Sequence, residues 1–530
     1  MSKLQRKAIL KKTIGISLLL LGSKFLGIIR EFVQVSYLGV GSLSDAFNTA
    51  MKLPNLLRKL FAEGALSATF IPTITRVTAQ ESQDEASRLL TLTFGVFGGI
   101  LLVICTVIAI FPNFFIMFIA QGFADKPIEL LAATQIIRIL IFFVFFVFAS
   151  ALLASAMQAK MHFTVPAWGP ALLNVFYILG LGIGAYLSLS VDKFAYFLLI
   201  GGLVQLLLYA WVYFSLHFKI LWPTKKTYGY FNEVLVKFFP YLMSVSIIEI
   251  NLIIDNRFAS TLPSGSLTLL SISSKFMTIA LGAFAVAFST ILLPQFSRIS
   301  TYAPRRLNFY LLESTKFIFW ITIPVVLLMS FFSYSIFYTI FYKLAGSFAP
   351  DNRFTLAQVS QSSSLLRAFL PGLFFFSVNK ILLNIYYALH ETRYVMYITI
   401  AGAFSNILLN RLLMPYYGAT GIALATALAA IVQTILLLYI VRKKLGVDVY
   451  LSRFGLFMLR YSVHLAIVGS LFLGIYYLIV TGIEYLIPQW SDFLLFHIGL
   501  WFWVGPFCLG LLGLLYGMRK RGSLGLYFLE

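Results

Sequence analysis

The chain has 530 residues, 60% of them hydrophobic and only 11% charged, with a mean hydropathy of +0.91. Soluble domains run to about 45–50% apolar and about 25% charged residues, so the composition excludes a soluble enzyme and describes an integral membrane protein with little room for an aqueous domain. A net charge of +21 would suggest nucleic acid in a soluble protein, but here Lys and Arg collect in short gaps between apolar runs, where topology explains them and no nucleic-acid partner is implied.

A membrane helix needs roughly 20 mainly apolar residues. That ruler predicts spans near 13–37, 44–71, 89–119, 128–158, 165–188, 194–218, 231–260, 266–297, 308–341, 356–389, 394–414, 418–441, 455–482 and 493–518. The expected fold is therefore an all-α integral membrane protein with 14 transmembrane helices. The basic start MSKLQRKAILKK leads into an apolar segment with no small-residue cleavage site, so it reads as a retained first helix. If the N-terminus is cytoplasmic, the alternate loops and tails on that side hold 22 Lys and Arg, whereas the opposite loops hold only Lys126, Lys193, Lys343 and Arg353. That asymmetry predicts both termini in the cytoplasm.

The chain also echoes itself. FIPTITR at 70–76 returns as LLPQFSR at 292–298, an offset of 292 − 70 = 222. Gly122-Phe123 is echoed near Gly346 to Phe348, Arg138 by Arg367 and Asn174 by Asn406, in the same order. The expectation is two six-helix lobes related by internal duplication, residues 1–226 and 227–446. Two extra C-terminal helices occupy 447–530. Parallel repeats of this kind place a substrate path at their interface.

The stretch from Gly22 to Arg76 is apolar enough for a membrane yet rich in charge. Asp45, Asn48, Lys52, Asn55, Lys59 and Glu63 recur at steps of three or four, which on a regular helix is one face. Lys24 and Arg30 lie in the first span beside Glu31. Arg58 accompanies the stripe in the second span, and Lys275 lies in the eighth. Ionised groups at membrane depth are costly and usually face a bundle interior or a watery cavity. One reading is that the acids and bases pair to hold helices together; the other is that the excess cations line a cavity for an anion such as a phosphate. A second set, Asp255, Asn406, Asn410 and Thr426, offers hard oxygen ligands for a small cation, or equally helix-to-helix hydrogen bonds. The five histidines show no metal-ligand spacing, Cys105 and Cys508 lie far apart in apolar segments, and no phosphate-binding GxxxxGK[ST] loop occurs. Nothing points to an enzyme.

The run LPNLLRKLFAEGALSATFIP at 53–72, with SKFLGIIRE at 23–31 and SDAF at 44–47, closely resembles the MurJ (MviN) family of bacterial lipid II flippases, within the multidrug/oligosaccharidyl-lipid/polysaccharide exporter superfamily. The resemblance covers essentially the whole chain. It implies a flippase, not an enzyme, that moves lipid-linked peptidoglycan precursor across the bacterial cytoplasmic membrane by alternating access, binding the pyrophosphate in a cationic cavity. The family's functional positions fall on Lys24, Arg30, Glu31, Asp45, Arg58, Glu63 and Lys275. Lys stands at 24 and 275 where Arg is usual, which keeps the charge and loses the bidentate fork. The resemblance further implies a sodium site at Asp255, Asn406, Asn410 and Thr426, no other cofactor, a lipid-tail groove at the two C-terminal helices, and a monomer among membrane lipids. A flippase for another undecaprenyl-pyrophosphate-linked saccharide, of the O-antigen kind, has the same charge requirement. A multidrug exporter should carry acids in its cavity instead.

Overall fold

The computed structural model describes residues 22–23, 25–63, 65–345, 354–448, 450–521 and 525–529, and among these no strand occurs. That is the outcome lipid imposes on a chain this apolar, because a helix satisfies every interior backbone group within itself. Ten helical stretches among the described residues are long and apolar enough to cross a membrane. The chain divides into two compact units, Met1–Thr268 and Leu269–Glu530.

In the first unit, α1 (25–38) ends at Gly39, whose φ of 68° turns the chain into α2 (Ser42–Ala50). The structure then departs from the single regular helix that the polar stripe implies. α3 (Lys52–Arg58) comes after α2, a π turn occupies Lys59–Glu63, and α4 (Ala65–Gln80) resumes. The π turn follows most of the stripe, in which Asp45 is buried, whereas Asn48, Lys52, Asn55 and Lys59 are all half-buried. Next come α5 (Gln83–Ile110), α6 (Pro112–Ile119), α7 (Pro127–Leu140), α8 (Phe143–Ala159), α9 (Thr164–Tyr186), α10 (Val191–Ser215) and α11 (Lys225–Ala259). Start signals sit where the physics wants them: Ser82 caps α5 through Glu85 N–H at 3.0 Å, with Asp84 and Glu85 in the first turn. Thr224 and Thr227 form a reciprocal capping box at α11. The approach of α9 to α10 depends on a missing side chain. A Cβ on Gly201 would stand 2.7 Å from the Cβ of Phe176.

The turn between α11 and α12 (Ser266–Leu281) is clamped from two sides. Asp45 on α2 accepts hydrogen bonds from Gly265 N–H at 2.7 Å, Thr268 N–H at 2.8 Å and the Thr268 hydroxyl at 2.6 Å. It thus caps α12 from a distant part of the chain, with negative charge at the helix's positive end. From the other side, Lys126 donates to the carbonyls of Ser260 and Leu262, Ser264 donates to Glu129, and Gly122 N–H donates to the Ser260 hydroxyl at 3.0 Å. Gly122 has no alternative here, since a Cβ would sit 2.4 Å from the Ser260 backbone.

In the second unit, α12 continues through a π turn (Gly282–Val286) into α13 (Ala287–Tyr302). After it come α14 (Leu307–Phe331), α15 (Ser333–Phe337), a π turn (Tyr338–Leu344) and α16 (Leu356–Ala388). α17 (Thr392–Leu445) is a 54-residue run that breaks at Gly418, where φ is 55° and ψ −132°, close to the boundary expected between 414 and 418. The core of this unit packs Ile318, Ile381, Leu382, Ile385 and Leu437, with the Tyr386 hydroxyl donating to the Leu437 carbonyl at 2.7 Å. α18 (Leu451–Leu486), α19 (Pro488–Phe496) and α20 (Gly499–Arg521) end the unit. α18 meets α14 through Phe457 and Tyr461 packed edge-on about Phe319, and turns Leu459, Val463 and Ile467 outward. The echo segment Gly346 to Phe348 lies outside the described residues.

Candidate anion site in the first unit

Arg30 is the cation whose surroundings are best defined. It lies near the middle of α1, its side chain 32% exposed. One guanidinium nitrogen donates to Glu31 Oε1 at 2.7 Å, another donates to Asn174 Oδ1 on α9 at 3.1 Å, and the group lies over the Tyr177 ring at 5.0 Å. Asn174 is itself fixed, donating to the Ser23 carbonyl at 3.1 Å. A charge-assisted hydrogen bond contributes about 1.5–3 kcal/mol, and a cation over an aromatic face about 0.5–2 kcal/mol. These contacts suffice to hold the fork in one place without enclosing it.

Lys59, at the start of the π turn, pairs with Glu249 of α11 at 2.8 Å, with side-chain exposures of 40% and 11%. Here the helix-linking reading applies. The same geometry also leaves a half-exposed ammonium that an incoming anion can draw away from its acid. Lys52 and Arg58 are half-buried on α3, and Lys275 is half-buried on α12 within the second unit. Lys24 lies outside the described residues, as does the side chain of Glu63. Asp45 is different in kind. With both oxygens engaged by three donors and 2% exposure, it is occupied by the fold.

The oxygen-bearing set is divided between the units. Asp255 is half-buried on α11 in the first. Asn406 and Asn410 lie four apart on α17 in the second, at 1% and 0% exposure. Thr426, also on α17, donates its hydroxyl to the Ile422 carbonyl at 2.9 Å, which leaves the oxygen's lone pairs free to accept a cation. Arg257, two residues on from Asp255, donates to the Phe118 carbonyl at 3.0 Å and to Gln121.

Sequence reasoning misses the neutral side chains packed around and behind Arg30. Asn174 stands out only as an echo of Asn406, and neither Tyr177 nor Gln34 stands out at all. Gln34 carries one usable signal: it is four residues after Arg30, hence on the same face of α1. Its carboxamide accepts from the Tyr177 hydroxyl at 2.7 Å and donates to Asn48 at 3.1 Å.

Comparison with known proteins places the chain in a family. The sequence model described as Lipid II flippase MurJ matches residues 34–498. A probable lipid II flippase MurJ of Vibrio cholerae is 29% identical over 452 residues, covering 81% of this chain and 82% of that one. Its counterpart from Buchnera aphidicola subsp. Acyrthosiphon pisum is 26% identical over 437 residues, covering 81% and 83%. Among solved structures, one described as lipid II flippase MurJ in an inward closed conformation superposes with a TM-score of 0.69 at 26% identity, covering 81% of this chain and 88% of that one. The chain belongs to the lipid II flippase MurJ family.

Proposed function

We infer that this protein is a lipid II flippase: a multi-pass transporter of the bacterial cytoplasmic membrane that carries the undecaprenyl-pyrophosphate-linked peptidoglycan precursor from the inner to the outer leaflet. The observation that carries the reading is the family match over residues 34–498, just ahead of which Arg30 stands half-exposed with an exchangeable carboxylate beside it. The bidentate fork of Arg30 suits a diphosphate oxygen pair, and Glu31 is the group such an anion displaces. Glu249 serves Lys59 in the same way. Lys24, Lys52, Arg58 and Lys275 complete the cationic set, with Glu63 and Asp45 as its acids.

Fourteen spans, in two six-helix lobes and a C-terminal pair, are the arrangement we propose. Recurring features support it. The π turn at 59 returns at 282, an offset of 282 − 59 = 223 that matches the 222 of the sequence echo. The 28-residue α5 and short α6 have their parallel in the second unit in the 25-residue α14 and short α15. The excess of 22 Lys and Arg over 4 supports cytoplasmic termini. On that topology the clamped turn at 260–268 faces outward, so release of Asp45 from Gly265 and Thr268 accompanies outward opening. The outward apolar side chains of α18 suit a lipid tail, and the protein acts as a monomer. Asp255, Asn406, Asn410 and Thr426 are proposed as Na+ ligands. The ion supplies positive charge that the membrane potential can drive, about 2.3 kcal/mol per charge at 100 mV.

The test is replacement. In a bacterium depleted of its own lipid II flippase, this chain restores growth and lipid II export. Absence of rescue despite membrane expression overturns the substrate assignment. Lys24→Arg and Lys275→Arg are tolerated, since both retain the charge.

A further inference from the structure

Beneath Arg30 begins a line of hydrogen bonds that all point the same way. The Tyr177 hydroxyl donates to Gln34 Oε1 at 2.7 Å, Gln34 Nε2 to Asn48 Oδ1 at 3.1 Å, Asn48 Nδ2 to the Thr268 hydroxyl at 3.2 Å, and that hydroxyl to Asp45 at 2.6 Å. Every residue belongs to the first unit. Gln34 and Tyr177 are nearly sealed from solvent at 3% and 4% exposure, so water does not compete for these bonds. The line starts at the aromatic ring carrying the Arg30 guanidinium and ends on the carboxylate that clamps Gly265 and Thr268.

A bare helix cross-link needs one such bond, and its direction is immaterial. Here each carboxamide accepts from one neighbour and donates to the next, so turning either amide over breaks two bonds at once. A chain of donors with a cation at its head and an anion at its foot is polarised along its length, and each bond strengthens its neighbours. The guanidinium over the ring draws electron density from the phenol and makes its hydroxyl a better donor. An anion that neutralises Arg30 and draws it toward itself removes that influence.

We propose that Tyr177, Gln34 and Asn48 are positioning residues that report the occupancy of Arg30 by a pyrophosphate to the Asp45 clamp on the 265–268 turn. The proposal rests on the anion-site reading of Arg30 and goes beyond it. It makes substrate binding loosen the contact whose release opens the opposite end of the transport path. None of the three touches the anion. They set when the clamp yields, and so act on the turnover step more than on binding.

The experiment uses the full chain in lipid nanodiscs, with inorganic pyrophosphate as the probe. Backbone hydrogen exchange is read at Gly265 and Thr268, the two amides that donate to Asp45. In the wild type, saturating pyrophosphate speeds their exchange by about threefold, the scale of a partial weakening of one clamp. Tyr177→Phe keeps the ring under Arg30 and deletes only the hydroxyl. Gln34→Met keeps the length of the side chain and deletes both of its bonds. Both variants bind pyrophosphate within about twofold of wild type and lose the exchange response; with fluorescent lipid II in vesicles, their maximal flipping rate falls while KM holds. A wild type that binds without any change at 265–268 overturns the relay, as do variants that respond like wild type. A structural role alone would raise exchange equally with and without the anion, which also overturns it. If wild type does not bind pyrophosphate, or Arg30→Ala binds it equally well, the anion site itself is refuted, and the relay with it. The wild-type measurement stands alone should either variant fail to fold.

Discussion

Arg30 and Asp45 sit fifteen residues apart on consecutive helices, and they show two opposite ways of keeping a charge inside a membrane. Around Arg30, itself 32% exposed, the partners are side chains: Glu31, the Asn174 carboxamide and the Tyr177 ring. Around Asp45, two of three donors are backbone amides at the start of α12, which part from it only when the whole turn moves. The first arrangement holds a charge ready for exchange, and the second consumes it. Proximity in sequence therefore says nothing about which charge is open to exchange. The stiffness of its partners does.

The sharpest way to break this contrast is to remove each charge in turn. Arg30→Ala abolishes rescue of a flippase-depleted strain while the protein still reaches the membrane, and Arg30→Lys recovers only part, because a point charge replaces the fork. Full rescue by Arg30→Ala refutes the cationic-cavity model outright. Asp45→Ala acts on the fold as well. It leaves three buried donors without an acceptor, each costing about 1–3 kcal/mol, and so lowers the thermal midpoint of the purified protein by several degrees. A midpoint unchanged within a degree would show that the clamp contributes nothing to the fold. Below these in size comes Asn174→Ala. Losing the charge-assisted bond of about 1.5 kcal/mol lets the guanidinium wander, and pyrophosphate affinity falls about tenfold, while loss of the bond to the Ser23 carbonyl lowers the thermal midpoint less than Asp45→Ala does. An unchanged affinity would mean that Glu31 and Tyr177 alone place the fork.

Much of this is legible in the sequence, for physical reasons that separate the conspicuous residues from the hidden ones. Membrane helices announce themselves by length and apolarity, and the break at Gly418 by Pro415 and a glycine between two apolar runs. The charged members of the site are conspicuous because charge is anomalous in such surroundings. Neutral polar residues are less so: Gln34 and Tyr177 are ordinary in a membrane helix, Asn48 shows only as a member of the stripe, and their meaning comes from partners 143 residues away for Gln34 with Tyr177, and 220 for Asn48 with Thr268. Asp45 is visible as an acid but not as a cap, since the helix it caps begins at Ser266, far along the chain. The π turn at Lys59–Glu63 leaves no mark in the pattern either. Backbone irregularity at a single turn is set by tertiary packing, which spacing alone does not encode.

The smallest expected effect lies outside the membrane and marks the far end of the same contrast. Just past α4, Glu81 accepts from Lys226 and from the Tyr230 hydroxyl at 2.7 Å, with Glu81 and Lys226 on the exposed surface and Tyr230 half-buried. The hydrogen bond from Lys226, then that from Tyr230, lowers the Glu81 carboxyl below its usual value. The hydrogen bond to Glu81 raises Lys226 above its own. The signs come from linkage. Glu81's contribution is complete above the unfolded carboxylate pKa of about 4.3 and fades as pH falls through its lowered value. Lys226's contribution is complete below the unfolded ammonium pKa of about 10.4 and fades as pH rises through its raised value. Between about pH 5 and 9 both are constant, so this cluster adds no pH dependence to the thermal midpoint there. Glu81→Gln accordingly shifts the midpoint by less than about one degree at pH 7, and the small shift vanishes in high salt, because water and ions screen an exposed pair. A large, salt-resistant shift would show instead that Glu81 clamps the start of α11 as rigidly as Asp45 clamps the start of α12. The difference between exchangeable and consumed charge would then reach beyond the membrane.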